Sequence, residues 1–198
     1  MKLIVGLGNP GQGYAATRHN AGRRLIEYIA SHRPLAFSKK KSLYVSIASL
    51  EWDGQPVTLA FPEVFMNLSG TAVHQLVNHL SIDPKKNLLI VVDDFALPFG
   101  HLRLRSRGSD GGHNGLKSIH QTLGSSEYAR LRLGIGRPSL APPLGEASFE
   151  KYVLSSFNSK EKKDLEAFLE RGVQACRLWV TQPIERAMNV INIKQPTS

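Results

Sequence analysis

Between Asn87 and Asp93 the chain is an unbroken apolar run, Leu-Leu-Ile-Val-Val, that ends abruptly in two carboxylates, Asp93 and Asp94. A strand that is apolar at every position must be covered on both faces, whereas a strand with one wet face alternates. Helices laid on both sides of a largely parallel sheet provide that cover, so the run predicts an α/β layer fold. Ligand crevices form at the carboxyl ends of strands in such sheets. The point where Asp93 emerges is therefore the first place to look for chemistry.

The remaining segments fit that architecture. Lys2 to Gly6 reads as a short apolar strand. A glycine-rich loop follows to Asn20, which can cap an amphipathic helix running to about Ser31 with Leu25, Ile26 and Ile29 on its apolar side. That helix stops near Pro34. Ser42 to Leu50 and Val57 to Phe61 predict a hairpin about the turn Trp52-Asp53-Gly54-Gln55, and Ser69 caps a helix to Leu80. His101 to Arg105 and Arg130 to Ile135 are further strands, the first with Arg103 and Arg105 on one side. Ser106 to Gly115 is too rich in glycine to be regular, and Leu116 to Leu123 is helical. Pro138 to Pro143 predicts a long surface loop, Ser159 to Thr181 a charged amphipathic helix, and Pro183 the start of a last one. With no repeat or linker, the 198 residues form a single domain, residues 190–198 fraying as a tail; at 41% hydrophobic content such a domain buries roughly 70% of its unfolded surface.

Charge and cysteine usage narrow the function classes. Lys and Arg number 25 against 16 Asp and Glu, a formal charge of +9, which draws polyanions to the surface. The single Cys176 cannot form an internal disulfide, and the apolar start of the chain runs into glycine too soon for a signal peptide or membrane span. The expectation is a reduced, cytoplasmic protein without a membrane role.

Several familiar patterns are decoys. Gly6-Leu7-Gly8-Asn9-Pro10-Gly11 matches the dinucleotide-binding G-x-G-x-x-G after a strand. Yet Pro10 and the segment Gly11-Gln12-Gly13-Tyr14 postpone any helix to about Asn20, and the acid near the required separation, Glu27, falls inside that helix. His74 and His79 diverge on a helix, His113 and His120 have no acid between them, and no cysteine pair exists, so no metal site is expected. Cys176 lies in an apolar stretch and reads as core rather than nucleophile.

A His-Asn dipeptide occurs twice, in Thr17-Arg18-His19-Asn20-Ala21-Gly22 and in Gly111-Gly112-His113-Asn114-Gly115, each time where a helix begins. Side chains there reach out beside unpaired backbone N–H groups and the positive end of a helix dipole. Amides, one carboxylate and one imidazole suit the activation of water on an ester. His19 titrates near neutrality and can act as base, and Asp93 can orient its ring. Asn9, Asn67 and Asn114 can donate to oxygens without titrating.

Five blocks, in order and spread over nearly the whole chain, resemble the bacterial peptidyl-tRNA hydrolase family. They are Val5-Gly6-Leu7-Gly8-Asn9-Pro10-Gly11 with Tyr14, Thr17 to Gly22, Phe65-Met66-Asn67-Leu68-Ser69-Gly70, Asp93-Asp94, and Gly111 to Ile119. The resemblance implies a single α/β domain with a twisted, mixed and mostly parallel sheet flanked by helices. It also implies a monomeric hydrolase, free of metal and cofactor, that cleaves the ester joining a nascent peptide to its tRNA. By the same resemblance His19 is the general base, Asp93 its acidic partner, and Asn9 fixes the water or the scissile carbonyl. Asn67 and Asn114 would hold the peptide and the terminal end of the substrate, while Tyr14, Met66 and His113 shape the cleft. Arg103, Arg105 and Arg132 match or adjoin positions that contact tRNA phosphate in the family. Val92 and Ala96 depart from its pattern, which carries a histidine at the first in many members and an acid at the second in many others. The other reading is a non-catalytic RNA-binding protein of the same fold, akin to organellar splicing-factor relatives; it would need the basic surface but not His19, Asp93 and the three asparagines.

Overall fold

The computed structural model describes residues 1–137 and 146–193. In chain order these contain β1 (Lys2–Gly6), α1 (Gln12–Ala15), α2 (Ala21–Ser31), β2 (Ser38–Lys40), β3 (Val45–Trp52), β4 (Gln55–Pro62), α3 (Ser69–Leu80), α4 (Pro84–Asn87), β5 (Leu88–Asp94), β6 (Leu102–Arg105), α5 (Asn114–Leu123), β7 (Ala129–Gly134), α6 (Glu146–Val153), α7 (Ser159–Thr181) and α8 (Ile184–Ile191). The seven strands make one sheet in the order β2-β3-β4-β1-β5-β7-β6. Its central strands β4, β1, β5 and β7 run parallel, and β3 and β6 flank them antiparallel.

The apolar run is β5, and its alternate residues feed two cores. Leu89 and Val91 join α2, α7 and α8 on one face, while Leu88, Ile90 and Val92 join α3 and α5 on the other. Each leucine or isoleucine so buried contributes about 2 kcal/mol. Two layers of cover on one central sheet is the arrangement that an uninterrupted apolar strand requires.

Gly6 and Gly8 of the dinucleotide-like motif serve packing. A Cβ on Gly6 would lie 2.3 Å from the Gly22 carbonyl oxygen, and one on Gly22 would lie 2.2 Å from the Val91 carbonyl oxygen. Helix α2 thus rests directly on the backbones of β1 and β5, tied there by the Arg23 N–H to the Leu7 carbonyl at 2.9 Å. Gly22→Ala is expected to destabilise the protein by about 3 kcal/mol, because the Val91 carbonyl that the new methyl meets cannot yield without moving the central strand β5; urea denaturation reads it.

Some expectations are corrected. The glycine-rich loop before Asn20 contains the short helix α1, and the edge strand β2 pairs with β3, neither of which apolar patterning signalled. Asn20 and Ser69 do not cap helices through their side chains; Ser69 is already helical and Asn20 is used elsewhere. The chain does not fray from residue 190. Helix α8 continues to Ile191, and the Asn192 amide clasps the free edge of β6, accepting from Leu104 N–H at 2.8 Å and donating to the Leu104 carbonyl at 3.0 Å. The expected loop from Pro138 to Pro143 lies outside the described residues.

Candidate active site

His19 sits in a 3-10 turn, Arg18–Asn20, between β1 and α2, and Asp93 is the penultimate residue of β5. Sequence places them 74 residues apart; the parallel pairing of β1 with β5 brings their ends together. His19 Nδ1 donates to the Asp93 carboxylate, 2.9 Å from Oδ1 and 3.1 Å from Oδ2. That bond holds the ring with its proton on Nδ1 and leaves Nε2 as the basic nitrogen. Burial alone would push His19 down, but the Asp93 charge and hydrogen bond outweigh it and hold its pKa above the ordinary 6.5. Burial would likewise push Asp93 up; instead the neighbouring His19 and N–H donation from both His113 and His19 keep it well below the usual carboxylate range.

The second histidine completes the arrangement. His113 is the N-cap of α5, where its Nδ1 accepts from Gly115 N–H at 3.1 Å and Leu116 N–H at 3.3 Å. A nitrogen that accepts carries no proton, so the proton is on Nε2, which donates to Asp93 Oδ1 at 3.1 Å. Asp93 is therefore shared between two imidazoles. His19, Asp93 and His113 present ligand-type atoms within 4.8 Å of one another. The set does not suit a cation, because a metal on His113 Nε2 would displace the proton that its capping role puts there.

Asn9 is oriented from three sides. Its backbone N–H donates to Asn20 Oδ1 at 2.8 Å, and its carbonyl accepts from Asn20 Nδ2 at 2.9 Å. Its side-chain Oδ1 accepts from Met66 N–H at 2.8 Å, and only an oxygen can do so, which turns Nδ2 toward the cleft as a donor. The cleft, about 870 Å³, opens over these groups. Tyr14 from α1, Met66 and Asn67 from the 3-10 turn Met66–Leu68, and Asn114 line it, Met66 being buried and both asparagines exposed. Tyr14 meets the exposed Phe65 edge-on, ring centres 6.2 Å apart.

The arginines divide by role. Arg103 and Arg105 are exposed on the edge strand β6, opposite Arg132 and Arg130 of β7. Arg132 also lines the cleft, but Nη1 pairs with Asp94 at 3.2 Å and Nη2 donates to the Ser109 carbonyl at 2.8 Å. Neither departure from the family pattern removes a group described above. Val92 is fully buried against α3 and α5, and Ala96 is exposed with its N–H on Asp94. Burial pushes the Cys176 thiol up to about 12, so it is no nucleophile at neutral pH.

Three supporting residues were not legible in the chain. Asn20 clamps Asn9. The buried Arg18 fastens the His19 turn to the α6–α7 connection through Ser155 Oγ and Glu161, both at 2.6 Å, with its guanidinium 4.4 Å from the Tyr152 ring centre. Arg130 is wholly buried beneath the loop before His113. Asn20 and Arg18 sit inside the His-Asn block and could have been suspected for that reason; nothing in the order of residues marks Arg130.

The comparisons with known proteins point to one family. Residues 3–198 match the family profile described as peptidyl-tRNA hydrolase. The peptidyl-tRNA hydrolase of Herpetosiphon aurantiacus is 44% identical over 196 residues, covering 99% of this chain and 92% of the relative. That of Roseiflexus castenholzii is 46% identical over 196 residues, covering 99% and 89%. The crystal structure of peptidyl-tRNA hydrolase from Acinetobacter baumannii superposes with a TM-score of 0.89 at 32% identity, covering all of this chain and 97% of that one. Sequence and fold converge, and the chain belongs to the peptidyl-tRNA hydrolase family.

Proposed function

We propose that this protein hydrolyses the ester between a nascent peptide and its tRNA, releasing both, with His19 as general base. The observation that carries the reading is the buried ionised Asp93 held between His19 and His113, which fixes His19 with Nε2 free for water. Water adds to the acyl carbon as its proton passes to His19 Nε2. The developing oxyanion is met by Asn9 Nδ2, and collapse expels the ribose oxygen of the tRNA, which takes the proton back from the imidazolium. Asn67 and Asn114 hold the peptide and the terminal nucleotide, and Tyr14 and Met66 shape the wall. The direct test is release of free tRNA from a peptidyl-tRNA; no release by folded protein overturns the reading. A non-catalytic RNA-binding role is not favoured, since it would leave a desolvated carboxylate and two histidines with nothing to do. On this reading the protein acts in the cytoplasm as a metal-independent monomer, and chelator treatment leaves release unchanged.

Arg103, Arg105 and Arg132 supply the contact to tRNA phosphate. Arg103 and Arg105 are exposed on β6, and among the described residues no carboxylate pairs with either, which leaves both guanidinium groups available to a phosphate. Replacing Arg103 and Arg105 by Ala is expected to weaken tRNA binding and to flatten the slope of log K against log salt by about one unit. Hydrolysis of a short aminoacyl-nucleotide ester should be unaffected. Equal losses on both substrates would place these arginines in the support of the fold instead.

A further inference from the structure

The loop 106–113 between β6 and α5 has no regular structure and contains Gly108, Gly111 and Gly112 at φ +156°, +62° and +80°. Such a segment does not hold one shape unaided, because glycine at positive φ has many alternatives nearby. Yet this loop delivers His113 to Asp93. Asp110 ties its last turn, accepting from Gly112 N–H at 2.8 Å through its carboxylate and from His113 N–H at 3.1 Å through its carbonyl, and Arg130, the largest wholly buried side chain among the described residues, holds its earlier part. Its Nη1 donates to the Gly108 and Ser109 carbonyls at 2.6 and 3.1 Å, and its Nη2 to those of Ser126 and Tyr128 at 2.7 and 3.3 Å; the guanidinium stacks 4.5 Å from the Tyr128 ring centre. The Ser109 carbonyl also accepts from Arg132, which is anchored to Asp94. Among the described residues no carboxylate pairs with Arg130 within 4 Å. A buried guanidinium is costly to keep, and here its bonds go to loop carbonyls rather than to a counter-charge.

We propose, on the functional reading above, that Arg130 is a positioning residue for the histidine pair. By gripping Gly108 and Ser109 it sets the loop so that His113 Nε2–H stays on Asp93, and so sets how Asp93 is shared between His113 and His19. The charged and titratable groups around Asp93 are His19 from its 3-10 turn, His113 from the start of α5 and the Asp94–Arg132 pair at the strand ends. When His113 lets go, the carboxylate is left to His19 alone, which then holds its proton more tightly.

The test uses Arg130→Lys, which keeps the charge but cannot serve four carbonyls from a planar fork, and Gly108→Ala, which strains the loop backbone at φ +156° where Arg130 grips it. Both are expected to lower kcat about 10-fold to 100-fold, with KM little changed, and to move the ascending limb of the pH–rate profile upward. Arg130→Lys combined with His113→Ala should be no worse than His113→Ala alone. A limb at its original pH, or losses that multiply, overturns the proposal. If Arg130→Lys does not fold, Gly108→Ala decides by the same criteria. Nitrogen-15 imidazole NMR gives a readout independent of turnover: the Nε2–H of His113 should lose its hydrogen-bonded shift in both variants while the sheet amides stay in place. An unchanged His113 signal rejects the positioning role even if peptidyl-tRNA is not the substrate, and absent turnover in the unmodified protein rejects only the functional reading.

Discussion

Replacing His19 by Ala is expected to lower turnover of peptidyl-tRNA by about 10² to 10⁴ fold while tRNA binding stays near its original strength. The size follows from the geometry. The variant keeps Asn9 Nδ2 and the cleft walls, so oxyanion donation and substrate placement survive, and only proton transfer from water is lost. Removing the ring also leaves Asp93 with His113 as its sole histidine donor, so some loss of stability accompanies the kinetic loss; the comparison is made on protein shown to be folded by circular dichroism. The unmodified enzyme should show kcat/KM rising with pH through a value above 6.5. The base must be neutral to act, the neutral fraction grows with pH, and Asp93 holds the pKa of His19 up. Near-normal turnover by folded His19→Ala protein would remove His19 from the mechanism.

Asp93→Asn is expected to cost about 10² to 10⁴ fold in kcat, for a different reason. Asp93 accepts from two N–H groups at once. An asparagine offers one oxygen and one NH₂, and the NH₂ placed against His19 favours the tautomer with the proton on Nε2, where the base is needed. The same change removes the charge that raises the pKa of His19 and leaves burial, which lowers it. The ascending limb should therefore move to lower pH while the plateau falls. A variant that had merely loosened the fold would lower the plateau without moving the limb. A limb that stays in place would mean that Asp93 is structural.

How much could be read from the chain varies by element and for physical reasons. The β3–β4 hairpin was legible because its turn, Trp52 to Gln55, and its alternation are local signals, and the structure pairs Trp52 with Gln55 as expected. The long helix α7 was legible through its 3.6-residue period and opens with a capping box at Asn158 and Glu161. Strand β2 is three exposed residues, Ser38–Lys40, held by pairing with β3, and no apolar pattern could announce it. Helix α1 is one turn without a buried residue, below the length at which periodicity exists. Asn20 was read as a cap because that is what asparagine does before a helix, but two bonds to the Asn9 backbone outcompete the cap.

The site divides along the same line. Sequence by itself determined the doubly covered sheet, because an apolar strand has no other stable environment, and it offered His19, Asp93 and the asparagines as candidates, because side-chain chemistry is local. Only the tertiary structure decided what those residues are to one another. That His113 gives its Nε2–H to Asp93, that Met66 N–H turns Asn9 Nδ2 outward, and that Arg130 holds the loop from beneath all depend on atoms tens of residues apart meeting within hydrogen-bond distance. Such meetings are fixed by strand order and register. Those in turn depend on how the whole set of apolar faces packs, a global property that no single segment of the chain carries.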